Sequence, residues 1–420
     1  MKILHAADLH IDSPLRGLAA YEGAPTDKIR GATRRAVENL VQTAIDGSVD
    51  LVVIAGDIFD GDWRDFSTGL FWVGQLARLD DAGIPVVFVA GNHDAASEIS
   101  RSLRLPPNVT QLATSKAETK IFDELDVAVV GQGYATRAVT ADLAAGFPAP
   151  DSHLFTLGLL HTSLDGREGH ANYAPTSVET LRSKGYNYWA LGHVHEREIV
   201  REDPWIVFPG NLQGRHAREL GAKGAVLLTV ESGQVTSVEF IPLDDVRWQL
   251  KEIDAGELRD MDAVLEAINI AITEIEDPGK SLTAMRLRLV GASPAHEDIW
   301  RNPHAFEAEV RALSNATGDI WLEKVKLDTT TAKSSQRDEN DDVMKSLRER
   351  VEGLRSDPEQ LAPLEPSFAD LRRKIAADAR SVDGAPIDTL RIGSSSHLAE
   401  HLGASLELIA TLLDGANHAD

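Results

Sequence analysis

Short apolar runs recur along the first 245 residues: Lys2–Ala7, Leu51–Ala55, Pro85–Ala90, Val127–Gly131, Leu154–Leu160, Tyr186–Leu191 and Trp205–Phe208. Most lack alternating polar positions, so they predict strands covered on both faces. Segments of helical period separate them. Val37, Leu40, Val41, Ala44 and Ile45 share one side of a first helix. Phe66 to Asp81 predicts a second, stopped at Gly83. A third starts near Thr176, where Thr-Ser-Val-Glu has the form of a capping box, and stops at Gly185. Ala225–Val230 and Val235–Ile241 flank Ser-Gly-Gln and predict a hairpin. Residues 1–245 are therefore expected to form an α/β domain of two packed sheets with helices outside.

After residue 245 the pattern changes. Residues 246–330 read strand, helix, strand, helix, strand, which predicts a small α+β cap domain. Residues 331–342 are polar and charged and read as a linker. Residues 343–420 predict a helical tail with three apolar stripes: Val343, Leu347, Val351 and Leu354; Phe368, Leu371 and Ile375; Leu398, Leu402, Leu406 and Ile409. Such stripes pack on one another or on the body, or dock on a partner in the helix-in-groove manner.

A length of 420 residues fits two or three domains. The absence of cysteine excludes disulfides, thiolate metal sites and cysteine nucleophiles. No apolar stretch approaches the length of a membrane span. The opening MKILHAADLH has neither the basic nor the apolar part of a signal segment, so a cytoplasmic protein without a membrane partner is expected. The net charge of −24 is shared equally between residues 1–245 and 246–420. That balance does not attract polyanions; nucleic acid would need a local basic surface or the charge of bound metals.

Chemistry-bearing residues follow five of the predicted strands. Asp8 and His10 stand in DLH, Asp57 in GDIFD, Asn92 and His93 in GNHD, His161 in LHT, and His193 and His195 in GHVH. Each motif alone has a bland reading as a turn or an incidental histidine. Together they need five coincidences, all at carboxyl ends of strands, where ligands of α/β sheets gather. Hard oxygen donors mixed with imidazoles suit divalent ions such as Mn, Fe or Zn.

The ordered set resembles the calcineurin-like metallophosphoesterase superfamily. Within it, DLHIDSPL, GDIFD and PGNLQGRHARE resemble the SbcD-type DNA repair nucleases, and most closely their YhaO-like branch. The resemblance implies a two-sheet metallophosphoesterase sandwich and phosphodiester cleavage by a metal-bridging hydroxide. It implies two divalent ions, Mn2+ first with Fe2+, Zn2+ or Mg2+ as alternatives. One ion would be held by Asp8, His10 and His195, the other by Asn92, His161 and His193, with Asp57 bridging. His93 would protonate the leaving oxygen, and Asp94 would orient His93 or cap the following helix. Expected partners are DNA, an SbcC-type coiled-coil ATPase and a second copy in a homodimer. Asp60 stands where some relatives carry a substrate-contacting His, and no role is carried onto it.

Two further groups are candidates for substrate contact. Arg215 and His216 lie in GNLQGRHAR after a strand, where they touch a phosphate or merely pack beside the site. In the cap, alternation predicts one sheet face carrying Arg247, Lys251, Arg286, Arg288, Lys324 and Lys326, a surface for phosphates or an ordinary solvated face. The leading expectation is a DNA nuclease. The rivals are a small-molecule phosphodiesterase or phosphatase of the same fold, and a mainly scaffolding subunit of an ATPase complex.

Overall fold

The computed structural model describes residues 1–13, 25, 29, 31–60, 66–95, 103–164, 173–275, 282–332, 342–368, 381–382, 385–386, 393–403 and 405–406. The apolar runs do form strands, and they assemble into two six-stranded sheets. In the first, β1 (Lys2–Ala6), β2 (Leu51–Ala55), β3 (Val86–Val89) and β4 (Val109–Gln111) run parallel. The predicted hairpin, β11 (Gly224–Glu231) and β12 (Gln234–Pro242), adds antiparallel to the free side of β1. In the second, β6 (Val127–Gly131), β7 (Phe155–His161), β8 (Tyr188–Gly192) and β10 (Trp205–Phe208) are parallel. Antiparallel strands β5 (Glu118–Phe122) and β9 (Glu198–Glu202) close its edges. Strands β4, β5 and β9 carry polar residues and gave no apolar signal; they are edges, where one-sided exposure is normal.

Burial explains the unbroken apolar runs. Leu51, Val53 and Ala55 of β2 pack between the sheets with Val129, Leu157, Leu159, Tyr188 and Val207. The alternate residues Val52 and Ile54 pack outward with Val37, Leu40 and Val41 of α1 (Ala32–Asp46) and Trp72, Leu76 and Leu79 of α2 (Ser67–Asp81). The outer face of the second sheet is covered in part by Leu181 of α4 (Val178–Ser183), numbered after the short α3 (Asn92–Ala95). Ser177, one residue after the expected Thr176, caps α4: its hydroxyl accepts from the Thr180 amide.

The chain divides into two compact units. The first is Met1–Gln249, Asp277–Met285 and Asp319–Glu323; the second is Leu250–Glu276, Arg286–Gly318 and Lys324–Asp420. A three-stranded sheet of β13 (Val246–Asp254), β14 (Leu282–Ser293) and β15 (Ile320–Thr331), with β14 central, has its strand starts in the first unit and its strand ends in the second. Val264, Ile268 and Ile272 of α5 (Met261–Thr273), Ile299 of α6 (His296–Arg301) and Phe306 and Val310 of α7 (Pro303–Ala316) are buried in the second unit.

The register of this sheet corrects the expected basic face. Leu282 N donates to Asp245 O, and Ala255 N donates to Val290 O. In a parallel ladder these bonds pair Trp248 with Ala284 and Glu252 with Arg288. Arg288 accordingly meets Glu252 at 2.9 Å and also Asp328 at 2.6 Å. Glu252 alternates with Arg247 and Lys251, so those two point to the opposite face from Arg286 and Arg288. Arg286 is buried, Arg247 pairs with Asp244, and Lys324 and Lys326 are half-buried. The six basic side chains do not share a face, because one-strand alternation says nothing of which residue lies opposite which.

In the tail, α8 (Asp342–Ser356) carries half-buried Leu347 and Leu354 and buried Val351. A 3-10 stretch, Pro358–Phe368, follows; Pro363 and Pro366 lack the amide that an α-helix would use there. Residues 395–403 are helical and hold half-buried Leu398 and Leu402. Leu371, Ile375 and Ile409 lie outside the described residues. Among the described residues no helix is long and apolar enough to cross a membrane.

Candidate metal centre

All five motifs meet at the carboxyl ends of adjacent strands. Asp8 and His10 follow β1, Asp57 follows β2 and Asn92 follows β3, all in the first sheet. His161 ends β7, and His193 and His195 follow β8, in the second. The turns are tight. Asp8, His10, Asp57 and His193 all have positive φ, an uncommon conformation for residues other than glycine. Glycine makes room where the turns touch: a Cβ on Gly91 would lie 2.2 Å from Asp57 Oδ1, and one on Gly192 would lie 2.0 Å from Ala55 O. This accounts for the glycines of GNHD and GHVH.

Three groups of donors converge among the described residues. Asp8, His10 and His195 each bring one donor atom within 4.8 Å of the others, and so do Asp8, Asp57 and His161; His10, Asp60 and His93 make the third group, and the first two meet at Asp57. Asp57 Oδ2 lies 4.0 Å from His10 Nε2 and 3.4 Å from His161 Nε2. Asn92 Oδ1 lies 3.0 Å from His161 Nε2. His193 stands edge-on to His161, ring centroids 5.1 Å apart, and its amide donates to Asp8 Oδ2.

The hydrogen bonds fix which atoms carry lone pairs. His161 Nδ1 donates to Ala55 O at 2.8 Å, so its Nε2 faces Asn92 Oδ1 and Asp57 Oδ2 without a proton. His195 Nδ1 donates to Glu219 Oε1 at 2.8 Å, and its Nε2 faces His10 Nε2 at 3.2 Å. Asp8 Oδ1 is buried without a hydrogen-bond partner. Several donor atoms thus crowd one small buried space, which without metal is shared with the protons that the raised Asp57 and His195 take up and which a divalent cation can occupy instead. Charge tells the same story. Burial, with Asp94 and Asp8 nearby, pushes the Asp57 carboxyl well above the usual carboxylate range. Burial pushes His10 down to about 3, keeping its ring neutral. Burial opposes ionisation of Asp8, yet the imidazoles of His195, His161 and His10 hold it below the ordinary value. The residues fit a dinuclear divalent-metal site.

His93 is more open, with a third of its side chain exposed. Its amide donates to Asp57 Oδ1. The expected orienting role of Asp94 is not what the structure shows. Asp94 is buried, and its carboxylate accepts from the amides of Ile58, Phe59 and Gly91, which ties the GDIFD turn to the GNHD turn. Asp60 meets the His93 ring instead, Oδ1 to Nδ1 at 3.2 Å. Arg215 enters the site, with Nη1 3.5 Å from Asp60 and Nη2 3.3 Å from Glu219, whereas His216 is half exposed at its rim.

Glu219 was missed by motif reasoning. Besides His195, it accepts from Asn211 Nδ2 at 2.9 Å and from the Arg215 amide at 2.7 Å. Burial opposes its charge, but His195, Arg215 and His216 hold the carboxylate well below its usual range. In return, the Asp8 and Glu219 carboxylates outweigh burial and raise His195 to about 9. A carboxylate behind a metal-facing imidazole was the available signal, but nothing in the spacing of HARE marks it. His5, by contrast, bonds Tyr188 and Leu191 O inside the core, as a structural histidine should.

A profile described as calcineurin-like phosphoesterase matches residues 1–197. A second, described as the middle domain of metallophosphoesterase YhaO, matches residues 248–330. The chain is 33% identical over 298 residues to the uncharacterized metallophosphoesterase YhaO of Bacillus subtilis, covering 70% of this chain and 72% of that one. This chain belongs to the calcineurin-like metallophosphoesterases. More distant relatives carry the name DNA double-strand break repair protein Mre11. That of Haloferax volcanii is 22% identical, covering 85% of this chain and 82% of its own. That of Aeropyrum pernix is 27% identical, covering 65% and 68%. As a metallophosphoesterase the chain is a hydrolase, and its polar seam between two sheets is where the family's chemistry has its donors.

Proposed function

We propose that this metallophosphoesterase is a dinuclear-metal phosphodiesterase that cleaves DNA. The observation that carries the chemistry is the pair of donor groups joined at Asp57 Oδ2. Asp8, His10 and His195 would hold one ion, Asn92, His161 and His193 the other, and Asp57 both. Two such ions supply an activated water and positive charge for the phosphate oxygens. The chain's own part is to hold the phosphate and to move a proton. His93, open to solvent beside the donors, would give its Nε2 proton to the departing oxygen. Arg215 would face a phosphate oxygen from the Asp60 side. The reading of DNA as substrate is supported by alignment with repair proteins over most of the chain.

A second reading, hydrolysis of a small diester, is favoured by the net charge of −24 and by the carboxylates that occupy Arg288. One assay separates the two. The full chain with Mn2+ is given labelled duplex DNA, single strands, a cyclic nucleotide and a generic diester. Cleavage of DNA that is lost in His93→Ala supports the nuclease. Turnover of small diesters alone supports the second reading. Cleavage that appears only after addition of a coiled-coil ATPase would favour a mainly scaffolding subunit of an ATPase complex.

A further inference from the structure

Three tyrosines are buried among the described residues, and two of them account for their hydroxyls. Tyr186 Oη donates to Pro148 O at 2.7 Å, and Tyr188 Oη pairs with His5 Nδ1 at 3.1 Å. Tyr134 is 1% exposed, yet its hydroxyl has no hydrogen-bond partner among the described residues. A buried tyrosine normally finds a partner for its hydroxyl, and leaving it without one destabilises the fold.

The location of this hydroxyl suggests what it is for. Tyr134 follows β6, at the same carboxyl end of the second sheet as His161 and His193. Its amide donates to Ala90 O at 2.8 Å, just before the GNHD turn, and a Cβ on Gly133 would lie 2.8 Å from Ala90 N. The segment Gly-Gln-Gly-Tyr is thereby held close against the first sheet. Four rings then follow one another edge-on. Tyr134 meets His161 with centroids 5.5 Å apart, His161 meets His193 at 5.1 Å, and His193 meets Tyr173 at 5.7 Å. Burial, then the nearby Asp57 and Asp8 carboxylates, push the Tyr134 phenol well above its usual range, so it stays a neutral donor. Those carboxylates belong to the donor groups, so the hydroxyl lies beside the metal centre.

We infer that Tyr134 is a catalytic residue whose hydroxyl donates a hydrogen bond to a non-bridging oxygen of the phosphate undergoing hydrolysis. In that step a P–O bond forms from water and the P–O bond to the leaving group breaks. The leaving oxygen keeps the electron pair and takes a proton from His93, which is reprotonated from solvent, while the water's own proton leaves to solvent. Tyr134 transfers no proton. Its fixed dipole meets an oxygen on which charge develops, and a donor already in place needs no reorganisation to do so. The fold tolerates an unmatched hydroxyl in the resting protein because its partner arrives with the substrate.

The turnover arm of the test rests on the phosphodiesterase reading; the other arms do not. The full chain carries Tyr134→Phe, which keeps the ring against His161 and removes one oxygen. In urea, metal-free Tyr134→Phe should unfold at the wild-type midpoint or above it. Tyr186→Phe, which strips Pro148 O of its donor, should unfold below it. A Tyr134→Phe midpoint lowered as far as that of Tyr186→Phe makes the hydroxyl structural and overturns the inference. Calorimetry should show Mn2+ affinity unchanged within about twofold; a loss of about tenfold or more would mean that the hydroxyl supports the metal donors, and overturns it too. Inorganic phosphate is then titrated into the Mn2+-loaded protein. Its affinity should fall roughly 3–10-fold in Tyr134→Phe, the loss of one neutral hydrogen bond. A wild type that binds phosphate no better than the variant overturns the inference. On a diester that the wild type hydrolyses, kcat should fall about 10²-fold with KM changed far less. An unchanged kcat overturns the catalytic role. A wild type that turns over no diester refutes the phosphodiesterase reading alone, and the unfolding and phosphate arms still decide whether Tyr134 serves a phosphate oxygen.

Discussion

Glu219→Ala should weaken metal binding although Glu219 faces no metal. The substitution removes the acceptor of four donors: His195 Nδ1, Asn211 Nδ2, the Arg215 amide and Arg215 Nη2. The carboxylate is buried, so each donor left without a partner costs about 1–3 kcal/mol unless water enters. Water filling part of the space leaves a net loss of roughly 2–5 kcal/mol in folding stability. The local effect on the metal is separate. Loss of the anion behind His195 frees the ring to rotate and lowers its basicity, which costs about 10–100-fold in affinity. Urea unfolding of the metal-free protein measures the first quantity, and Mn2+ calorimetry below the unfolding range measures the second. Glu219→Gln should fall between, since its amide oxygen can still accept from His195. A Glu219→Ala protein that binds Mn2+ with wild-type affinity would refute the assignment of His195 to a metal.

Other expectations follow from the same geometry. Gly91→Ala places a Cβ 2.2 Å from Asp57 Oδ1 and should lower Mn2+ affinity at least about tenfold with every donor retained, as calorimetry would show; wild-type binding would mean that the GNHD turn yields freely. His93→Ala should keep both metal sites by calorimetry and lose about 10²–10⁴-fold in turnover of poor leaving groups. Burial pushes His5 down to about 3 from its ordinary 6.5, so the unfolded chain takes up the proton first as pH falls. Its contribution is therefore fully present above pH 6.5 and is lost at about 1.4 kcal/mol per unit as pH falls toward 3. Unfolding followed by urea from pH 7 to 5 should show a flatter slope in His5→Gln, and an equal slope would count against a buried neutral ring.

The strands were legible because burial on both faces leaves an unbroken apolar run, as in Leu51–Ala55. Edges such as Glu198–Glu202 have no such signature and went unseen. The metal donors were legible as motifs because each turn carries its donor beside a glycine or at a strand end. Their supporting carboxylates were not. Asp60 and Glu219 reach the rings of His93 and His195 from other segments of the chain, and spacing cannot express which ring a carboxylate meets. Asp94 shows the converse case: sequence offers two readings, a partner for its neighbour His93 or a cap of the following helix, whereas its carboxylate accepts from amides of two different turns. The basic cap face failed for a related reason, since alternation within a strand leaves the register between strands undetermined until the ladder bonds are known.

The donors divide by sheet: Asp8, His10, Asp57 and Asn92 hang from the first, His161, His193 and His195 from the second. A cation held by both groups is a cross-link between two layers otherwise joined by side-chain packing and a few hydrogen bonds such as His161 Nδ1 to Ala55 O and the His193 amide to Asp8. Its binding free energy opposes their separation, by about 2.7 kcal/mol for each site at a hundredfold excess over its Kd. The seam between the sheets is thus the place where metal supply becomes mechanical strength. Starved of metal, the protein would part at the mouth of that seam first, where three donor-bearing turns are already wound into uncommon backbone conformations.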